Sequence, residues 1–173
     1  MTGNKKLKPL AEIALISEIV TQAKFAEIAA NQLANTSNSV EVWGSIQSIL
    51  VATANVSKIL WPARKQSKSR GRHLRNLLGV DDDNLLSDRT FRNHFEHYDE
   101  RIEEWIESKN SAVYMDSRID PFELTTLSLP QLFHRSYNPI SKTLSFRGES
   151  IDIAAVLAEL AKIREKCHFF ALP

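Results

Sequence analysis

Scarcity is the first information in this chain. One cysteine, Cys167, in 173 residues excludes an intramolecular disulfide framework and points to a reducing compartment. Charge of one sign is lacking too: 22 Lys and Arg against 21 Asp and Glu leave a net charge of +1, so evidence for nucleic-acid binding has to be local. No apolar run reaches the roughly 18 residues that a membrane span needs, and no membrane contact is expected. Internal repeats and low-complexity tracts are absent. What is present is ordinary for a soluble globular protein, with 43% apolar and 25% charged residues. The length suits one domain over 1–173 with a real core. In the N-terminal stretch Glu12 and Glu18 interrupt the apolar residues and no small-residue cleavage site follows, so it reads as a helix of a cytoplasmic protein.

Helical periodicity dominates. From Leu10 to about Ala34 there is no Gly or Pro, and Ile13, Ile16, Val20 and Ala23 recur at helical spacing. Asn38 or Ser39 caps a second helix through Val42, Trp43, Ile46, Ile49, Leu50, Val56, Ile59 and Leu60, which Pro62 stops. A short helix ends at Gly79, and Ser87 or Asp88 caps the next, which runs to about Lys109. Beyond it, LFHRSY is expected to pair with KTLSFRG in a hairpin. A last helix runs through Ile153, Val156, Leu157, Leu160 and Ile163, with Ser150 as the expected cap. The expected fold is mainly α, a four-to-five-helix bundle with a small β-hairpin before the C-terminal helix.

Two segments carry candidate chemistry. Arg64, Lys65, Lys68, Arg70, Arg72, His73 and Arg75 form the basic cluster. It reads either as a solvated loop entering a helix or as a phosphate-contacting patch, whose RNA-binding residues would be Arg64, Lys68, Arg70, Arg72 and Arg75. The second segment is RNHFEH, residues 92–97. Phe91, Phe95, Tyr98, Ile102 and Trp105 form the core stripe of its helix, and Arg92 and His97 flank the opposite face at roughly 100° and 240° from that stripe. Asn93, Glu96 and Glu100 lie between them, whereas His94 leans toward the core.

Three readings fit this outer face. One is a solvated surface with Arg92 paired to Glu96. Another is a metal site built on His94, His97 and Glu100, for which no further converging ligands are evident, so no metal and no cofactor is expected. The third is a nucleolytic site, in which Arg92 holds a phosphate, Asn93 orients, and His97 moves protons near neutral pH while RNA supplies its own 2′-hydroxyl nucleophile. One exposed helix makes a thin active site, and a second copy across a two-fold axis would complete it. Elsewhere, Asn55, Ser57 and Lys58 could reach a cleft but suit hydrogen bonding within a bundle, and Cys167 beside His168 points away from it on a helix. Trp43, Trp61 and Trp105 suit the core or an interface better than base stacking.

An Arg, a polar neighbour, three further residues and a His on a late helix of a small helical bundle resembles the motif of HEPN-domain proteins. It maps onto Arg92, Asn93 and His97. Arg89 and His94 have a matching spacing, but Asn93 follows Arg92, and Arg92 and His97 share the open face. The resemblance implies a metal-independent endoribonuclease with catalytic Arg92, Asn93 and His97, and Glu96 on the same face is expected to join the catalytic set by helping Asn93 to organise them. It also implies a homodimer with facing motifs, and a toxin, defence or RNA-processing role in which an antitoxin could be a partner. Members that only bind are the alternative, a non-catalytic RNA-binding or protein-interaction module.

Overall fold

The computed structural model describes residues 7–88, 90, 93, 96–109, 114–120 and 133–170. The fold is mainly α, with five helices and a four-stranded sheet among the described residues. The chain divides into two compact units, Met1–Arg89 with Val156–Pro173, and Thr90–Ala155.

In the first unit, α1 spans Pro9–Asn35 and starts with Pro at a position whose N–H has no helical acceptor. Its buried positions, Ile16, Ile19, Gln22, Ala23, Ala26 and Ala29, follow the 3.6-residue period and pack along α2, Ser39–Leu60. Each fully buried Ile or Leu here contributes about 1.5–3 kcal/mol of transfer free energy. The buried Gln22 is satisfied, since Asn55 donates to its Oε1 at 3.2 Å and its Nε2 donates to Glu18 at 2.6 Å. Between the sequence's two candidates the cap of α2 is Asn38, whose Oδ1 accepts from the N–H groups of Val40 and Glu41 at 2.9 and 3.2 Å.

After Pro62 a short 3₁₀ turn, Lys65–Ser67, leads into α3, Lys68–Leu78. This helix approaches the end of α2 so closely that a Cβ on Gly71 would lie 2.4 Å from Pro62 Cδ and 2.6 Å from the Leu60 carbonyl oxygen. Gly79 ends α3 in the left-handed conformation, φ 60°, and Val80 N–H closes the cap on the Arg75 carbonyl at 2.9 Å. The C-terminal helix α5, Ile153–Cys167, buries Val156, Leu160, Ile163 and Cys167, and Arg164 reaches Glu27 of α1 at 2.5 Å.

The second unit holds α4, Tyr98–Lys109, and the sheet β1 (Arg118–Ile119), β2 (Arg135–Asn138), β3 (Thr143–Phe146) and β4 (Glu149–Asp152), in that order. The expected hairpin is there: Tyr137 pairs with Leu144 and Arg135 with Phe146 in antiparallel register. The sheet is larger than the hairpin, because β1 joins β2 in parallel and β4 continues the ladder beyond β3. Arg147 and Gly148 both adopt positive φ, 54° and 89°, the geometry of a tight hairpin turn, so the chain reverses at once and Glu149–Asp152 become strand. Ser150, expected as a helix cap, therefore sits opposite Ser145 with their hydroxyl oxygens 2.8 Å apart. Asp152 caps α5 instead, accepting from Ala154 and Ala155 N–H at 2.8 and 3.1 Å.

Candidate functional site

His97 occupies the turn that leads into α4. Its N–H donates to the Asn93 carbonyl at 3.1 Å and its own carbonyl accepts from Arg101 N–H at 3.1 Å, so helical hydrogen bonding runs through it. Asn93 and His97, four residues apart on that ladder, share a face, and both are exposed, as is Glu96. The His97 side chain keeps 53% of its surface in solvent, and its Nδ1 lies 3.6 Å from a carboxylate oxygen of Glu100. That pair contributes little to stability at such exposure. Arg92, the expected phosphate ligand, lies outside the described residues, as do Arg89, Phe91, His94 and Phe95. Of the expected core stripe, Trp105 is buried, and Tyr98 and Ile102 are half-buried.

Immediately beneath the turn is a polar cluster that no motif in the sequence announces. The Tyr98 hydroxyl donates to Asp116 Oδ2 at 3.1 Å, and the Arg135 guanidinium lies over the Tyr98 ring at 4.5 Å. Arg135 Nε also donates to Asp116 Oδ1 at 2.9 Å, and its Nη2 to Oδ2 at 2.5 Å, the two-pronged geometry in which Arg and carboxylate bind most strongly. Ser117 adds a hydroxyl donor at 3.0 Å. Burial by itself would raise the Asp116 carboxyl, but His134, Arg135 and Ser117 outweigh it and hold Asp116 well below the usual carboxylate range. Burial, reinforced by the neighbouring Tyr114 hydroxyl, pushes the Tyr98 phenol above its ordinary range, so it remains a donor at neutral pH.

At the centre of this cluster is His134, fully buried. Its ring lies 4.7 Å from Phe146 and 5.6 Å from both Tyr98 and Trp105. Nδ1 is 3.1 Å from the Tyr114 hydroxyl and 3.7 Å from Asp116 Oδ1, while Nε2 is buried with no hydrogen-bond partner among the described residues. The sequence shows His134 only as an isolated histidine, because its partners lie 12 to 36 positions away, Phe146 after it and Tyr98, Trp105, Tyr114 and Asp116 before it, and come together through the sheet. Farther along α4, Glu104 accepts from Arg101 at 2.7 Å and from Arg147 at 2.5 Å, tying the helix to the β3–β4 turn.

The basic cluster belongs to the first unit, and its side chains divide into two groups. Arg64, Lys65, Lys68 and Arg72 are exposed. Arg70 and Arg75 are engaged in the fold: Arg70 Nη2 donates to the Lys58 carbonyl at 3.1 Å, and Arg75 donates to the Leu60 carbonyl and, at 2.7 Å, to Asp82. Arg75 also packs over Trp61 at 5.6 Å, and Trp61 Nε1 donates to the Asp82 carbonyl at 3.1 Å. His73 is paired with Glu12. Cys167 is buried and its thiol is pushed up to about 12 by that burial, while His168 is exposed. Asn55 is spent on Gln22, and the buried Ser57 hydroxyl has no partner among the described residues.

Among the described residues no group of three His, Cys, Asp or Glu side chains could hold a metal ion, and no helix is long and apolar enough to cross a membrane. Comparison of the chain with models of protein families, with curated proteins and with solved structures returns no match.

Proposed function

We propose that this protein is a HEPN-like endoribonuclease that cleaves RNA without a metal ion, at a composite site formed by two copies of the chain. What carries the reading is the exposed turn on which Asn93 and His97 share one face beside Glu96, with a Glu100 carboxylate oxygen 3.6 Å from the His97 ring. An imidazole open to solvent on a helix face contributes little to packing, and it is the side chain best suited to move protons near neutral pH.

In the proposed reaction His97 takes the proton of a 2′-hydroxyl as its oxygen attacks the adjacent phosphorus. The P–O5′ bond breaks, a proton is returned to the departing 5′ oxygen, and the products are a 2′,3′-cyclic phosphate and a 5′-hydroxyl end. Arg92 stabilises the charge building on the phosphoryl oxygens, and Asn93 and Glu96 order the group. Two turns facing one another across a two-fold axis would exclude water, which a single exposed helix does not. A toxin or defence role in the cytoplasm, held in check by an antitoxin, belongs to the same proposal.

The test is cleavage of a labelled structured RNA in excess EDTA by wild type, Arg92→Ala and His97→Ala, purified alike. Cutting by wild type alone, with cyclic phosphate ends, supports the reading; equal cutting by all three means contamination and defeats it. A second reading, RNA binding without cleavage, draws on the exposed Arg64, Lys65, Lys68 and Arg72. It is favoured if wild type and His97→Ala bind RNA alike and neither cuts, with affinity falling as salt rises.

A further inference from the structure

We infer that the Asp116–Arg135 pair is a clamp on Tyr98 that sets the angle at which the adjacent His97 is presented, making Tyr98, Asp116 and Arg135 positioning residues for the proposed cleavage. The inference rests on the nucleolytic reading of His97 and deepens it. The observations are contacts on three sides of one ring. The Tyr98 hydroxyl is fixed to Asp116 at 3.1 Å, the guanidinium of Arg135 covers its face at 4.5 Å, and the rings of His134 and Phe146 lie at 5.6 and 6.3 Å. Arg135 is itself held by two bonds to the Asp116 carboxylate, so the clamp has little freedom to swing.

Position in the chain turns this grip into control of His97. Consecutive helical residues project about 100° apart, so fixing Tyr98 against the sheet fixes the direction in which His97 leaves the helix. His97 has weak anchoring of its own: among the described residues its side chain is approached by Glu100 at 3.6 Å, and both groups are more than half exposed. Trp105, seven residues after Tyr98, rests on the same His134 ring at 5.6 Å, which prevents α4 from rolling about its axis. Tyr98, Asp116 and Arg135 are half-buried, whereas His97 faces solvent. Loosening it should therefore spare RNA affinity and slow the chemical step, because a small displacement of a proton-transfer group costs rate steeply.

The experiment compares wild type, Tyr98→Phe, Asp116→Asn and Arg135→Lys as full-length protein, with His97→Ala as reference. It measures single-turnover cleavage of a labelled RNA, RNA affinity by anisotropy, thermal midpoint, and the NMR signal of the His97 ring. Tyr98→Phe keeps the ring and removes only the hydroxyl, so it is expected to fold, to bind RNA within about twofold of wild type, to cleave about tenfold more slowly, and to shift the His97 signal. Asp116→Asn should do more of the same. Wild-type rate and an unmoved His97 signal in folded Tyr98→Phe overturn the clamp, even if the other two variants unfold. If wild type cuts no RNA, the nucleolytic reading fails separately, and the clamp as a constraint on His97 stands or falls on the NMR signal.

Discussion

Arg75 and Arg72 are three residues apart in the same basic stretch, and the structure predicts opposite consequences for replacing them with Ala. Arg75 donates to the Leu60 carbonyl at the end of α2, to Asp82, and packs over Trp61; its side chain is 11% exposed. A charge-assisted bond to a buried carbonyl is worth roughly 1.5–3 kcal/mol, and its loss leaves that oxygen short of a partner. The Asp82 pair adds little, about 0–1 kcal/mol, since Asp82 is 80% exposed. Stacking on Trp61 adds about 0.5–1 kcal/mol. These terms overlap, and Ala favours the helix, so Arg75→Ala should cost about 3 kcal/mol, which for a chain of this size lowers the thermal midpoint by roughly 6–12 °C. Arg72 is exposed, and Arg72→Ala should leave the midpoint within about 2 °C. In RNA titrations across a salt series the order reverses: Arg72→Ala should flatten the dependence of log affinity on log salt by about 0.7 per lost phosphate contact, and a folded Arg75→Ala should leave it unchanged. The reasoning is refuted if Arg75→Ala melts with wild type while flattening the slope as much as Arg72→Ala does.

Three further outcomes are expected. Gly71→Ala should destabilise by about 1–3 kcal/mol through overpacking against Pro62 and the Leu60 carbonyl, despite the better helix propensity of Ala; a raised midpoint in a thermal melt would show that the approach is not that tight. Asp116 is held below its ordinary range in the fold, so its ion pair stabilises fully above about pH 5, and that contribution fades as pH falls below the unfolded-state value near 3.9. Urea melts of wild type and Asp116→Asn should accordingly differ at pH 7, and the difference should begin to shrink only below about pH 4. Cys167 should resist a thiol reagent in the native protein and react at once in guanidinium, because burial pushes its thiol up to about 12 and screens it from attack; rapid native labelling would contradict this.

The legible parts of this fold are the ones that short-range physics writes. Asn38 is readable as a cap because its side chain reaches amides two and three residues away, Gly79 as a stop because only glycine turns left-handed without strain, and the LFHRSY–KTLSFRG hairpin because its partners are near in sequence. The same local logic chose Ser150 as a cap and was misled. Gly148 permits an immediate reversal, and the ladder with β3 then extends the strand to Asp152. The division of the basic cluster was equally invisible, since Arg72 and Arg75 look alike until α3 is laid across the end of α2.

The sequence by itself determined the mainly α class, the helices and most of their ends, and the polar face that carries Asn93, Glu96 and His97, because periodicity, capping and turn chemistry act over a few residues. Only the tertiary structure decided which arginines are bound to backbone carbonyls and which face solvent. It alone decided that β1 and β4 enlarge the hairpin to a sheet, and that Asp116, His134 and Arg135 converge beneath Tyr98. Those are contacts between residues far apart in the chain, whose energies depend on desolvation and geometry that exist only after the elements have packed.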